Sequence, residues 1–149
     1  KKYLGKSTIS QFGPFLAHQI IEDHICYITN TSPLIKLKTI KKCINIYKKL
    51  DFKKYDSLST FSKVNEFLWD DKKPINYNLK KQPRSQDLDG LYKFIPAVTI
   101  IPKKNLIKNQ NVIGKKPFKV IIDFPENIDI DENYQYKIAN LFYNKKKNK

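Results

Sequence analysis

Apolar residues follow two different rhythms along this chain, and the change near Phe94 divides it. From Phe15 to Ile28, residues Ala17, Ile20, Ile21, Ile25 and Ile28 recur at steps of three and four, the period that lays side chains along one face of a helix. Gly13-Pro14 punctuates the start of that segment. Asn30-Thr31-Ser32-Pro33 reads as a second helix start, with a hydroxyl at the cap and a proline in the first turn, where its missing N–H costs nothing. Leu37, Ile40, Ile44 and Tyr47 form the stripe of this helix, widened by Cys43 and Leu50. Lys38, Lys42 and Lys49 gather on the opposite side, flanked by Lys41 and Lys48. After a polar turn over 51–59, Ser57 or Ser59 is the expected cap of a third helix carrying Phe61, Val64, Leu68 and Trp69.

Beyond Phe94 the helical period gives way to β-branched runs. Ala97-Val98-Thr99-Ile100-Ile101, bounded by Pro96 and Pro102, predicts one strand. Phe118 to Phe124 predicts a second, and the two are expected to pair as a hairpin around a basic loop at 103–117. Asp129 or Asp131 is then the expected cap of a last helix, on which Tyr134, Ile138, Leu141 and Phe142 share a face. The expected architecture is α+β: a helical N-terminal half of about three helices, and a small β-hairpin plus helix in the C-terminal half. Its expected divisions are an extended basic arm at 1–12, a helical region at 13–71, a basic loop at 72–90, a small α/β region at 91–144 and a basic tail at 145–149, all within one domain.

Composition adds a partner to this picture. The 149 residues carry a formal charge of +15, with 29 lysines and arginines against 14 acidic groups. Residues 51–100 are nearly balanced, so the excess sits toward the two ends. Such a charge repels itself unless a polyanion neutralises it, and nucleic acid is the commonest such partner. Arg84 is the lone arginine. Phosphates would therefore meet point-like ammonium groups, which suit backbone positioning better than base readout. The expected RNA contacts are Lys1, Lys2 and Lys6; Lys38, Lys42 and Lys49; Lys80, Lys81 and Arg84; Lys103 and Lys104; Lys115 and Lys116; and Lys145, Lys146 and Lys147. Tyr47, Tyr55, Tyr77, Tyr92 and Tyr143 lie near basic residues and are candidates for stacking on bases or for the core.

Catalytic and metal chemistry find little footing in these motifs. His18, His24, Cys26 and Cys43 lack the paired short spacings of a structural zinc site, and Cys43 lies on the apolar side of its helix. Asp70-Asp71 and the Asp87/Asp89 pair read as a solvated helix end and a turn. No phosphate-cradling glycine loop is present, so no enzyme activity, cofactor, metal or small-molecule substrate is expected. No run of 18 apolar residues exists, so no membrane span is expected. The chain has no methionine, which fits a removed targeting peptide or an incomplete N-terminus. Two cysteines make no secreted-type disulfide framework, although a bridge between the first two helices stays open.

The segment Phe118–Asn144 resembles part of a mitochondrion-specific protein of the small ribosomal subunit. It shares the strand Lys119-Val120-Ile121-Ile122-Asp123-Phe124, the step Ile128-Asp129-Ile130 and the helix Tyr136-Lys137-Ile138-Ala139-Asn140-Leu141. The family's Gly-x-Arg-Tyr-like continuation is replaced by Tyr143-Asn144 and lysines. The resemblance implies a structural, non-catalytic role. The expected function is therefore a structural constituent of a mitochondrial ribosome in the matrix, bound to rRNA and to neighbouring ribosomal proteins. The alternative is an accessory subunit of another organellar complex, such as a respiratory-chain assembly.

Overall fold

Four strands meet in one mixed sheet of order β1-β3-β2-β4: β1 (His24–Ile28), β2 (Ser57–Lys63), β3 (Tyr92–Pro102) and β4 (Pro117–Ile121). The structure is a computed structural model that describes residues 9–88 and 90–147. Helices α1 (Ile9–Ala17), α2 (Leu37–Lys48), α3 (Lys103–Asn109) and α4 (Asn133–Lys147) complete it. β3 pairs antiparallel with both β1 and β2, and β4 joins the far side of β2 in parallel.

The fold is α+β, but the expected helical N-terminal half is corrected. His24–Ile28, expected as the end of a first helix, is an edge strand whose Cys26 lies opposite Ile100. Its β-branched residues match a helical period by spacing alone, and pairing with β3 overrides that local signal. The third expected helix is replaced by β2. The described residues of 64–91 then run irregularly apart from two isolated β-bridges, Trp69 with Pro74 and Asn78 with Lys81, and a 3₁₀ turn at Ser85–Asp87. The expected hairpin is corrected too, because β2 lies between β3 and β4, and part of the connection is helix α3. The arm expected over 1–12 lies outside the described residues up to residue 8, and 9–12 belong to α1. Lys145–Lys147, expected in a tail, continue α4.

β2 escaped sequence reading because its sequence, Ser57-Leu58-Ser59-Thr60-Phe61-Ser62-Lys63, looks polar yet six of its seven residues are buried. Each central hydroxyl has a partner, as burial requires. Ser57 Oγ donates to the Ile113 carbonyl, and Ser59 Oγ meets Thr99 Oγ1 at 3.2 Å. Thr60 does more. Between Ser59↔Thr99 and Phe61↔Phe94 the pairing slips, leaving a bulge in β3 around Pro96. Thr60 Oγ1 fills it, donating toward the Ile95 and Val98 carbonyls at 2.7 and 3.1 Å and accepting from Val98 N at 3.0 Å. A proline inside a strand is tolerated at such a bulge, so β3 begins at Tyr92, ahead of the proline expected to bound its start.

Alternation along β3 builds a core on each face. Val98 and Ile100 join Leu58 and Val120 beneath Cys43 and Tyr47 of α2. Ile101 packs on the other side against Ala17 of α1 and Leu106 of α3, with Val112. Helices thus cover both faces of the sheet. Burying each large aliphatic side chain contributes about 2 kcal/mol. The expected stripe of α2 holds for Cys43 and Tyr47, whereas Leu37 is 65% exposed. Gly114 closes the α3–β4 connection at φ +85°, where an added Cβ would strike Ser57 Oγ and Asp56 Oδ1. Asp56 in turn accepts from the N–H groups of Lys115 and Lys116 at 2.8 and 2.9 Å, tying the start of β4 to the start of β2.

Two predictions follow from this packing. Thr60→Val keeps the shape but removes the hydroxyl's bonds to the Ile95 and Val98 carbonyls and from the Val98 N–H, and urea unfolding should show a loss of about 2 kcal/mol. Cys26 and Cys43 are free thiols, the first exposed and the second buried. Burial raises both, and burial together with nearby Cys26 takes Cys43 to about 11. With a disulfide reagent at mild alkaline pH, the native protein should therefore label at Cys26 and release the Cys43 signal only on unfolding.

Candidate functional site

β1, β2 and β4 run in one direction, so their C-terminal ends lie along one edge of the sheet. In open α/β sheets ligands bind outside those ends. Three connections emerge there, at 29–36, 64–91 and 122–132.

The first and third connections are pinned together. Thr29 Oγ1 donates to the Pro96 carbonyl at 3.0 Å and lies 3.4 Å from Ser32 Oγ, and Ser32 is buried. Ser32 was the expected cap of the second helix, but α2 begins later, and its cap residue Lys36 supplies no side-chain cap of its own. Glu126 replaces it from 90 residues away. Its Oε2 accepts from Lys36 N at 3.1 Å, and its Oε1 pairs with Lys36 Nζ at 3.1 Å. A second pin runs from Ile130 N to the Thr31 carbonyl at 2.8 Å. Burial alone would raise the Glu126 carboxyl. The Thr39 hydroxyl, the Lys36 N–H and the Lys36 ammonium outweigh burial and hold it below the ordinary value.

Between these pins sits Asp129. Among the described residues, its Oδ1 is the buried side-chain polar atom without a hydrogen-bond partner. A carboxylate oxygen out of water and unpaired is costly, and such exceptions call for a water, an ion or a ligand. Asp131, two residues on, is exposed. Both were expected as helix caps. Instead Gln135 Oε1 accepts from Asp131 N and Glu132 N at 2.8 and 2.6 Å, the back-reaching half of a capping box. A signal for them was present as the i, i+2 carboxylate pair after a strand. Among the described residues no three His, Cys, Asp or Glu side chains group closely enough to hold a metal ion. A cation here would need further oxygens from its ligand or from water, as Mg²⁺ commonly does.

The basic residues expected to contact RNA are dispersed. Lys38, Lys42 and Lys49 are exposed on and just after α2, on one side of the sheet. Lys80 and Lys81 are exposed in the 64–91 connection, and Arg84 forms a two-point ion pair with Asp87 at 2.7 and 3.1 Å. Lys103 Nζ donates to the Ile20 and Ile21 carbonyls, Lys104 is exposed on α3, and Lys115 and Lys116 are exposed before β4. Lys1, Lys2, Lys6 and the side chains of Lys145, Lys146 and Lys147 lie outside the described residues. Of the stacking candidates, Tyr47 is buried against His24 and Phe52, and Tyr55 packs edge-on to Phe118. Asp70 accepts from Lys72 N and Lys73 N as a turn residue.

Two clefts of about 850 and 450 Å³ share His24 and Phe52 at the opposite end of β1. Their polar groups are largely committed: Asp56 to the β4 start, Lys103 to α1's exit, and His24 Nδ1 to Tyr47 OH at 2.8 Å. The Asp129 edge, with its unpaired carboxylate oxygen, is the stronger site. No described helix is long and apolar enough to cross a membrane.

No family model matches the chain, and no curated protein sequence is significantly similar to it. Among solved structures it is similar to 4-diphosphocytidyl-2C-methyl-D-erythritol synthase from Anaerococcus prevotii DSM 20548. The TM-score is 0.66 at 14% identity, over 94% of this chain and 68% of that one. This is a likeness of fold, to a nucleotidyltransferase-like enzyme. It overturns the expected role as a structural constituent of a mitochondrial ribosome, and the expectation that the chain is not an enzyme finds no support in it.

The Glu126 anchor yields a pH test. Because its folded value is lowered, its contribution is complete above the ordinary carboxyl value of 4.5 and is lost as pH falls through the lowered value. The stability gap between wild type and Glu126→Gln, read from urea midpoints, should therefore narrow as pH falls below the ordinary value of 4.5.

Proposed function

We propose that the chain forms the phosphate-binding side of a nucleotidyl-transfer enzyme, with Asp129 holding a divalent cation at the C-terminal edge of the sheet. The observation that carries this reading is the buried, unpartnered Asp129 Oδ1 at the place where an open sheet binds its ligands. The likeness to an enzyme named for making a diphosphocytidyl compound supports it and makes cytidine nucleotides the first ligands to test. The positive charge that suggested RNA suits a nucleotide's phosphates equally well.

The chain's own residues divide the work. Asp129, with exposed Asp131 beside it, supplies hard oxygen donors. When bound, a Mg²⁺ ion there would neutralise charge on the phosphates of the ligand. Asn30, exposed in the 29–36 connection, offers an amide to the same edge. At the N-terminus of α2, elsewhere a natural anion site, the Glu126 carboxylate binds the N–H and the ammonium of the cap residue Lys36, which favours the Asp129 side for the phosphates.

The test is Mn²⁺ binding followed by electron paramagnetic resonance, with and without CTP. The wild-type protein should bind Mn²⁺ more tightly when CTP is present, and Asp129→Asn should weaken that binding about tenfold or more. Equal Mn²⁺ affinity in the two proteins would mean that Oδ1 is served by water, and the reading would fall.

A further inference from the structure

Glu126 does more in this architecture than end a helix. It is 8% exposed, in the turn after β4, and three residues before Asp129. Its carboxylate is bound by Lys36 N and Lys36 Nζ, at the start of α2. On the other side of Asp129, Ile130 N is bound to the Thr31 carbonyl. Asp129 therefore hangs between two anchors on the same stretch, residues 31–39. Loops do not ordinarily hold a carboxylate oxygen buried without a partner, because a small backbone adjustment would return it to water. The two anchors remove that freedom.

We infer that Glu126 is the positioning residue for Asp129: by locking the 122–132 connection onto the start of α2, it keeps the Asp129 carboxylate in place to receive a cation. This rests on the reading of Asp129 given above. Glu126 touches neither the cation nor the nucleotide. Partners of this indirect kind set the orientation of metal-binding groups, and losing one typically weakens metal affinity by about 10–100-fold. The same contact keeps the positive end of α2 from competing for the ligand's phosphates.

The experiment compares Mn²⁺ affinity in the presence of CTP for wild type, Glu126→Ala, Glu126→Gln and Val112→Ala. Hydrogen exchange at the Ile130 amide is measured on the same proteins. Glu126→Ala should weaken Mn²⁺ binding about tenfold and speed exchange at Ile130. Glu126→Gln, which can still accept from Lys36 N, should recover part of both effects. Val112→Ala lowers stability from the core shared with Ala17, Ile101 and Leu106, away from the 122–132 connection, and should leave both readouts near wild type. Wild-type Mn²⁺ affinity in Glu126→Ala, or an equal loss in Val112→Ala, would overturn the positioning role. If wild type itself binds no Mn²⁺, the cation reading fails. Unchanged exchange at Ile130 in Glu126→Ala would then separately show that Glu126 does not hold the loop.

Discussion

The sheet depends on one side chain, the Thr60 hydroxyl. β3 has to pair with β1 on one side and with β2 on the other, and Pro96 interrupts its ladder. The bulge absorbs the proline, but leaves carbonyls and an N–H that water cannot reach. Thr60 Oγ1 shares its one proton between the two carbonyls, the shorter bond going to Ile95, and accepts from the Val98 N–H. Pairing then resumes toward Phe94, and the ends of β1, β2 and β4 stay in line. A valine there would have the same shape and none of the chemistry.

That alignment brings two distant stretches into reach of each other. The exit of β1 and the exit of β4 lie some 90 residues apart in sequence, yet Glu126 and Ile130 bind them together by a charged contact and a backbone contact. Residues that each read as local signals take on different work in this setting. Ser32 is buried in a loop instead of capping a helix, Glu126 caps a helix it does not belong to, and Asp129 caps nothing and keeps an unpaired oxygen. Exceptions to polar satisfaction in an otherwise well-paired structure concentrate where a ligand is to be met.

The basic residues illustrate how far charge alone can lead. A net +15 identifies an anionic partner as a class, but not which anion. Once folded, the lysines spread over α2, α3 and the connections, and several cationic or backbone groups among them serve the fold: Lys103 on the carbonyls after α1, Arg84 on Asp87, and Lys36 on Glu126. Two of these, Lys103 and Arg84, are residues that a linear reading assigns to RNA.

The sequence by itself determined the elements whose signal is local. The α2 stripe of Cys43 and Tyr47, the β-branched centre of β3, the strand at Phe118 and the last helix all lie close to where their periodicity placed them. The tertiary structure decided the rest. β1 is a strand because β3 lies beside it, and β2 is one because its hydroxyls find partners in Ile113, Thr99 and the bulge. The order of the sheet sets β2 between β3 and β4, so the apparent hairpin never forms. Asp129 was visible only as an acidic residue before a helix, one of an i, i+2 carboxylate pair. The side chain is half-buried, and the burial of its Oδ1 without a partner arises from contacts across the fold, which no spacing along the chain encodes.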